Sequence, residues 1–316
     1  MVTMQATRDG VGRALLELGK TNPNVIVLTA DLAESTRVEE FAIKFPQRFI
    51  EVGVAEQNLA GIAAGLALGK KIPFIASYGV FSPGLNWGVI RSAITYSNLP
   101  VKIIGGHAGL ATGPDGATHQ ALEDLALMRV LPNMIVLAPA DEEEAFQATL
   151  TAAQHPGPVY IRTSKLPVEA VTKEGSPFEI GRAQVIRQGA DVTIIAHGTM
   201  VARALIARKL LEHIAISARV INSASIKPLD KSTILQAFRQ TQAVVVVEDH
   251  QISGGLGSTI AELVSQETIR TPFRIIGVQD SFGESGTPDE LYQKHGLTAE
   301  TITEIVSSMF HALNES

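Results

Sequence analysis

With 316 residues, 45% of them hydrophobic and 18% charged, the chain is long and apolar enough for two α/β domains of roughly 150 residues each. A net charge of −6 with scattered Lys and Arg excludes a basic nucleic-acid face, and the lack of any cysteine excludes disulfides, thiolate metal sites and a thiol nucleophile. No run approaches the ~18 apolar residues of a membrane span and residues 1–10 lack the apolar core of a signal peptide, so a cytoplasmic protein is expected.

In chain order, apolar runs at 25–30, 49–52, 73–78, 101–105, 134–138 and 159–162 read as buried parallel strands, with helical patterns between them. A Gly/Ala-rich helix is predicted over 57–69. Gly61, Gly65 and Gly69 recur in it every four residues, at a cost of roughly 1 kcal/mol each relative to alanine in a helix interior. Their small face suits either close packing on the chain's own sheet or a contact with another subunit. Asp141 reads as the N-cap of a helix whose first turn holds Glu142, Glu143 and Glu144 and which Pro156-Gly157-Pro158 terminates.

From 164 to 177 the period lapses into turn formers, which places a linker at 167–180 between a domain over 1–166 and a second over 181–316. In the second domain 191–196, 217–221, 243–248 and 273–278 read as strands, and helices are expected near 200–212, 231–239, 256–266 and 299–313. The fold class expected is α/β, two doubly wound domains with a mainly parallel sheet in the first and a smaller second domain.

Three constellations carry candidate chemistry, all at carboxyl ends of predicted strands, where open α/β sheets keep their sites. Gly53-Val54-Ala55-Glu56-Gln57-Asn58 puts Glu56 between apolar flanks at a helix start. A first-turn acid can simply complement the helix dipole, but a buried carboxylate demands a specific partner and suits proton exchange with a ring nitrogen. Gly113-Pro114-Asp115-Gly116-Ala117-Thr118-His119-Gln120 sets an acid, a hydroxyl and an imidazole within five residues, ahead of a helix expected to start near Gln120. Such a loop is either a plain connection or a site for hydroxyl recognition and proton shuttling. Tyr78-Gly79-Val80-Phe81 brings two aromatics to one strand end, as core or as a stacking platform. His107 and Ser35 also lie at strand ends, where a lone His or Ser is equally a structural residue.

Together with Ala30-Asp31-Leu32, Ile226-Lys227-Pro228-Leu229-Asp230, Val247-Glu248-Asp249-His250, Gly254-Gly255-Leu256-Gly257 and Phe282-Gly283-Glu284-Ser285-Gly286-Thr287-Pro288, these runs resemble the C-terminal half of the transketolase family over nearly the whole chain. The resemblance implies a pyrimidine-binding domain, a C-terminal domain and thiamine diphosphate as cofactor. Glu56 matches the catalytic glutamate that hydrogen-bonds the aminopyrimidine ring nitrogen, so that the cofactor acts as its own base. Phe81 matches the ring that stacks on the pyrimidine, Tyr78 flanks it, and Asp31 matches the acid near the thiazolium. His119 and Asp115 match groups that bind sugar hydroxyls. His107 and Ser35 match contacts to the sugar phosphate, at the family's spacing of eight residues from His107 to Asp115 and four from Asp31 to Ser35. At Arg162-Thr163-Ser164-Lys165-Leu166-Pro167 the family carries its arginine one place nearer the Leu-Pro pair, so either Arg162 or Lys165 is expected on the phosphate.

The family's Gly-Asp-Gly motif, which with a downstream Asn holds Mg2+ (or Ca2+) and the diphosphate, does not occur; Arg8-Asp9-Gly10 and Pro114-Asp115-Gly116 come nearest. An N-terminal transketolase subunit is therefore expected to supply it, in an α2β2 heterotetramer acting on sugar phosphates in the pentose phosphate pathway. Deoxyxylulose phosphate synthase and the beta subunit of the 2-oxo acid dehydrogenases share the architecture, and a non-catalytic assembly subunit is the alternative from another class.

Overall fold

The computed structural model describes residues 4–314. The described residues open with a short strand β1 (Met4–Gln5) and helix α1 (Thr7–Thr21) and then alternate: β2 (Val25–Thr29), α2 (Glu39–Lys44), β3 (Phe49–Glu51), α3 (Glu56–Leu68), β4 (Ile72–Tyr78) and α4 (Trp87–Val89). A π-helical turn (Ile90–Thr95) extends α4, and β5 (Lys102–Gly106), α5 (Asp124–Arg129), β6 (Ile135–Leu137), α6 (Glu142–Gln154) and β7 (Val159–Arg162) complete the first unit. Every residue of β2, β5 and β7 is buried, since helices cover both faces, and this is why these strands read as continuous apolar runs. Two cations interrupt these runs: Lys102 in β5, whose ammonium donates to the carbonyls of His155 and Gly157, both at 2.7 Å, and Arg162 at the end of β7.

After β8 (Val168–Glu169) the second unit comprises β9 (Gln184–Arg187), β10 (Val192–Ala196), α7 (Met200–His213), β11 (Ala218–Asn222), β12 (Ser225–Lys227) and α8 (Lys231–Gln240). It ends with β13 (Ala243–Gln251), α9 (Leu256–Val264), β14 (Phe273–Val278), α10 (Pro288–Lys294) and α11 (Ala299–Asn314). Its five-stranded sheet runs β14-β13-β10-β11-β9, parallel except for β9. The larger sheet runs β12-β6-β7-β5-β4-β2-β3, parallel except for β12. Thus β12 leaves the second unit to pair with β6 of the first, and β8, inside the segment expected as linker, pairs antiparallel with β1.

Strand order fixes where a site can form. From β2 the chain moves to β3 on one side, and then places β4 on the other side of β2. The connections therefore diverge at the carboxyl ends of β2 and β4, leaving a crevice there. Those ends carry Asp31 and Tyr78.

Helix α3 packs on the sheet through Leu59, Ala60, Ala63, Ala64 and Ala67. Gly61 and Gly65 point away: a Cβ added at either would meet nothing within 4 Å. The alanines, not these glycines, make the contact with the sheet. A second departure from expectation is the helix after the Gly113–Gln120 loop, which starts at Asp124 rather than near Gln120. Gln120 instead spends its amide on the carbonyls of Gly113 and Glu284, at 3.0 and 2.9 Å, and Ala121 bridges Ala108.

Candidate active site

The crevice is shaped by two residues with positive φ, Asp31 (+60°) after β2 and Gly53 (+70°) after β3. Both backbone N–H groups donate to one oxygen of Glu51, each at 2.8 Å, so this carboxylate ties the two strand ends together. Sequence reasoning passed over Glu51. Its signal was an acid two residues before a glycine at a strand end. The turn delivers Glu56 to the first position of α3, 6% exposed, where its Oε1 accepts the Ser77 hydroxyl (3.2 Å) and its main-chain carbonyl accepts the Asn86 amide (3.0 Å). Oε2 has no hydrogen-bond partner among the described residues.

Beside Glu56, the end of β4 supplies Tyr78, whose ring stacks on His107 (centroids 3.9 Å apart) and lies nearly parallel to Phe81 at 6.0 Å. His119 meets Phe81 edge-on at 5.5 Å and Tyr78 at 6.1 Å. Two predicted strand-end aromatics and two predicted imidazoles therefore form one cluster. It gathers residues from β4, from the end of β5 and from the Gly-rich loop.

The third group is cationic, and it contains the main residue that sequence reasoning missed. Arg8, in the first turn of α1, donates to the Ser35 carbonyl at 2.9 Å and stands 3.5 Å from Nε2 of His107, while its Nε is buried without a partner. Lys165 pairs with Asp115 at 2.8 Å, and that hydrogen bond holds the Asp115 carboxyl below its usual range. Burial, reinforced by the charges of Arg8 and Lys165, pushes His107 down to about 3, so its imidazole is neutral at physiological pH. With Nε2 facing the Arg8 donor, the neutral ring carries its proton on Nδ1, which has no partner.

Arg162 does not join this group. It is 7% exposed, its Nε donates to both oxygens of Asp124 at 3.1 and 3.0 Å, and its Nη2 donates to the carbonyls of Ala121 and Asp249. Burial opposes its charge, but Asp124 and Asp249 hold it protonated. Of the two cations, Arg162 and Lys165, Lys165 is the one that reaches the loop carrying Asp115. His250 is likewise internal, with Nδ1 on the Gln251 carbonyl, and Glu248 accepts the Leu256 and Gly257 N–H groups at the start of α9. The glycine-rich turn there serves this cap.

The site is an open face, not an enclosed cavity. Asp31 is exposed, and Val54 and Leu85 on its rim are 81% and 60% exposed. A cavity of about 520 Å³ lies elsewhere, between residues 166–171 and α7. The residues present fit the aminopyrimidine half of thiamine diphosphate: a buried carboxylate with a free oxygen for a ring nitrogen beside an aromatic platform. Among the described residues no group of three or more His, Asp or Glu is disposed to hold a metal ion.

Each of the two units matches a known family. Residues 3–169 match the family model for the transketolase pyrimidine binding domain, and residues 181–302 match the model for the transketolase C-terminal domain. A putative transketolase C-terminal section of Methanocaldococcus jannaschii is 44% identical over 297 residues, covering 93% of each chain. A 6-deoxy-6-sulfo-D-fructose transketolase subunit of Clostridium sp. (strain MSTE9) is 39% identical, over 93% of this chain and 91% of its own. Among solved structures, a split gene transketolase described as an inactive beta4 tetramer superposes with a TM-score of 0.90 at 48% identity, covering 97% of this chain and 99% of that one. The chain belongs to the transketolase family, of which it spans the pyrimidine-binding and C-terminal domains.

Proposed function

We propose that this chain is the C-terminal subunit of a cytoplasmic two-chain transketolase, dependent on thiamine diphosphate and Mg2+, that moves a two-carbon ketol unit from a ketose phosphate to an aldose phosphate in the pentose phosphate pathway. The observation that carries the reading is the run of rings from Phe81 through Tyr78 to His107, which leads from the strand end where Ser77 holds Glu56 to the cationic group of Arg8 and Lys165. One end suits an aminopyrimidine and the other a tetrahedral anion. When bound, thiamine diphosphate supplies the nucleophilic carbon that carries the transferred unit.

Each residue of the chain then has a task. Glu56 would share a proton with the pyrimidine ring nitrogen through a hydrogen bond, and Phe81 and Tyr78 would fix the ring plane. Asp115 and His119 orient the sugar hydroxyls. Arg8, Lys165, Ser35 and neutral His107 take the phosphate. Asp31 stands at the exposed rim, toward the thiazolium. An N-terminal subunit bearing Gly-Asp-Gly contributes the diphosphate and metal site, and an α2β2 tetramer is the simplest closed assembly. The match over 93% of a relative named as a C-terminal section, and a neighbour whose beta4 form is inactive, support a division into two subunits.

The test is to co-express the chain with a partner that carries Gly-Asp-Gly and to assay the purified pair with thiamine diphosphate and Mg2+. Turnover of xylulose phosphate with ribose phosphate, and none of pyruvate with glyceraldehyde phosphate, is expected. Turnover of the pyruvate pair alone would assign a deoxyxylulose phosphate synthase instead. No turnover of any pair, with the complex intact, would favour an assembly role. A sulfonated ketose, the kind of sugar that stands in the name of the Clostridium relative, separates phosphate from sulfonate recognition.

A further inference from the structure

The loop that carries His107, Asp115 and His119 belongs to the first unit, yet its hold comes from the second. Asp249, near the end of β13 and 3% exposed, turns its carboxylate into the start of this loop. Its Oδ1 accepts the Leu110 N–H at 2.8 Å, and its Oδ2 accepts the Ala111 N–H at 3.4 Å and the Tyr292 hydroxyl at 2.9 Å. Leu110 and Ala111 open the 3-10 segment Leu110–Asp115, so the carboxylate caps two of its orphan amides. Gly109 makes the approach possible. It has φ of +84°, and a Cβ there would sit 2.2 Å from the Asp249 Oδ2.

Other contacts lock the same loop from both sides. The Asp249 carbonyl accepts Arg162 at 2.7 Å, the Thr112 hydroxyl donates to the His107 carbonyl, and Gln120 spans the Gly113 and Glu284 carbonyls. A charged acceptor with three donors is a strong, directional clamp. The clamp spans 139 residues of sequence to act on a segment whose two ends carry the site's imidazole and acid.

We propose that Asp249 is the positioning residue of the substrate loop, setting where His107 and Asp115 stand relative to the sugar without touching substrate or cofactor itself. The proposal rests on the ketol-transfer reading for its kinetic consequence, but not for its structural one. Tyr292, buried in the second unit, aims the carboxylate and extends the relay to α10.

Two isosteric variants test it. Asp249→Asn keeps the volume but replaces an acceptor with a donor that faces an N–H, and Tyr292→Phe removes only the hydroxyl. In the chain alone, amide exchange over 108–116 should rise about tenfold in Asp249→Asn, in keeping with loss of about one charge-assisted hydrogen bond, and exchange over 56–68 should stay as in wild type. In the reconstituted pair, KM for both sugars should rise about tenfold while KM for thiamine diphosphate stays within about twofold, and Tyr292→Phe should move both readouts the same way by less. Unchanged exchange over 108–116 would overturn the proposal, as would a parallel rise over the whole second unit or equal losses for sugar and cofactor. If the wild-type pair transfers no ketol unit, the functional reading fails, and the exchange measurement still decides whether Asp249 holds the loop.

Discussion

Glu56 sits where a carboxylate has one oxygen engaged by Ser77 and the other available, which makes Glu56→Gln a clean probe. Glutamine keeps the volume and an oxygen for the Ser77 hydroxyl, so the melting temperature should stay within about 2 °C of wild type. It cannot hold a ring-nitrogen proton, and kcat of the reconstituted pair should fall ~10²–10⁴-fold, the range for loss of a positioned acid–base group. Retained turnover would remove Glu56 from the mechanism. Arg8 makes the complementary case. Arg8→Ala should raise KM for phosphorylated sugars ~10- to 100-fold, about 1.5–3 kcal/mol, with little effect on the unphosphorylated analogues. Since burial holds His107 neutral down to about pH 3, its ring proton resonances should show no chemical-shift step at the ordinary histidine pKa in an NMR titration. A step near pH 6.5 would mean that His107 titrates normally. Arg8 escaped notice in the sequence because it lies in a helix's first turn, not at a strand end, and only the packing of α1 brings it to His107.

Among the helices, α6 was the most legible in sequence: its N-cap Asp141, acidic first turn and terminating Pro156 all act as read. The sequence hid the fate of its third acid. Glu144 is buried against the second unit, accepting the Ala140 N–H and the Asn222 amide, and burial pushes it up to about 7. A carboxyl raised above its unfolded value of 4.5 contributes stability that is complete below about pH 4.5 and lost as pH rises through about 7. Glu144→Gln should therefore flatten the melting-temperature profile across that window and match or exceed wild type at pH 8. The unpartnered Asn222 Oδ1 can receive the new amide after a side-chain flip. A profile unchanged by the substitution would show that Glu144 ionises normally. Periodicity found α6 and the buried strands because it reports burial. It could not report β12, three residues whose sheet is chosen by the partner strand, nor the backbone turn at Asp31, which Glu51 holds from another strand.

At the scale of the molecule, the two α/β units are interlocked through contacts on both sides of the segment that joins them. Strand β12 completes the larger sheet, the Ala138 N–H donates to the Ala224 carbonyl at 2.7 Å, the Gly198 N–H donates to the Ala138 carbonyl at 3.1 Å, and Lys227 donates to the carbonyls of Arg129 and Leu131. Asp141 is the densest of these joints. Its buried carboxylate accepts the Glu144 N–H at 2.8 Å, the Val171 and Thr172 N–H groups at 2.7 and 2.6 Å, and the Thr172 hydroxyl at 2.8 Å, so one side chain caps α6 and anchors the crossing strap. Exposing either unit would strand an edge of β6 and these charge-assisted bonds, a cost neither unit recovers alone. Heating should therefore give one transition with equal calorimetric and van't Hoff enthalpies. Asp141→Ala removes a cap and at least two strap bonds, about 3 kcal/mol, and should lower that single transition by on the order of 5 °C for a chain of this size without dividing it. Two resolved transitions in wild type, or a variant in which residues 181–314 melt apart from the rest, would show that the units fold separately and that β12 is an ornament on the larger sheet, not its closing strand.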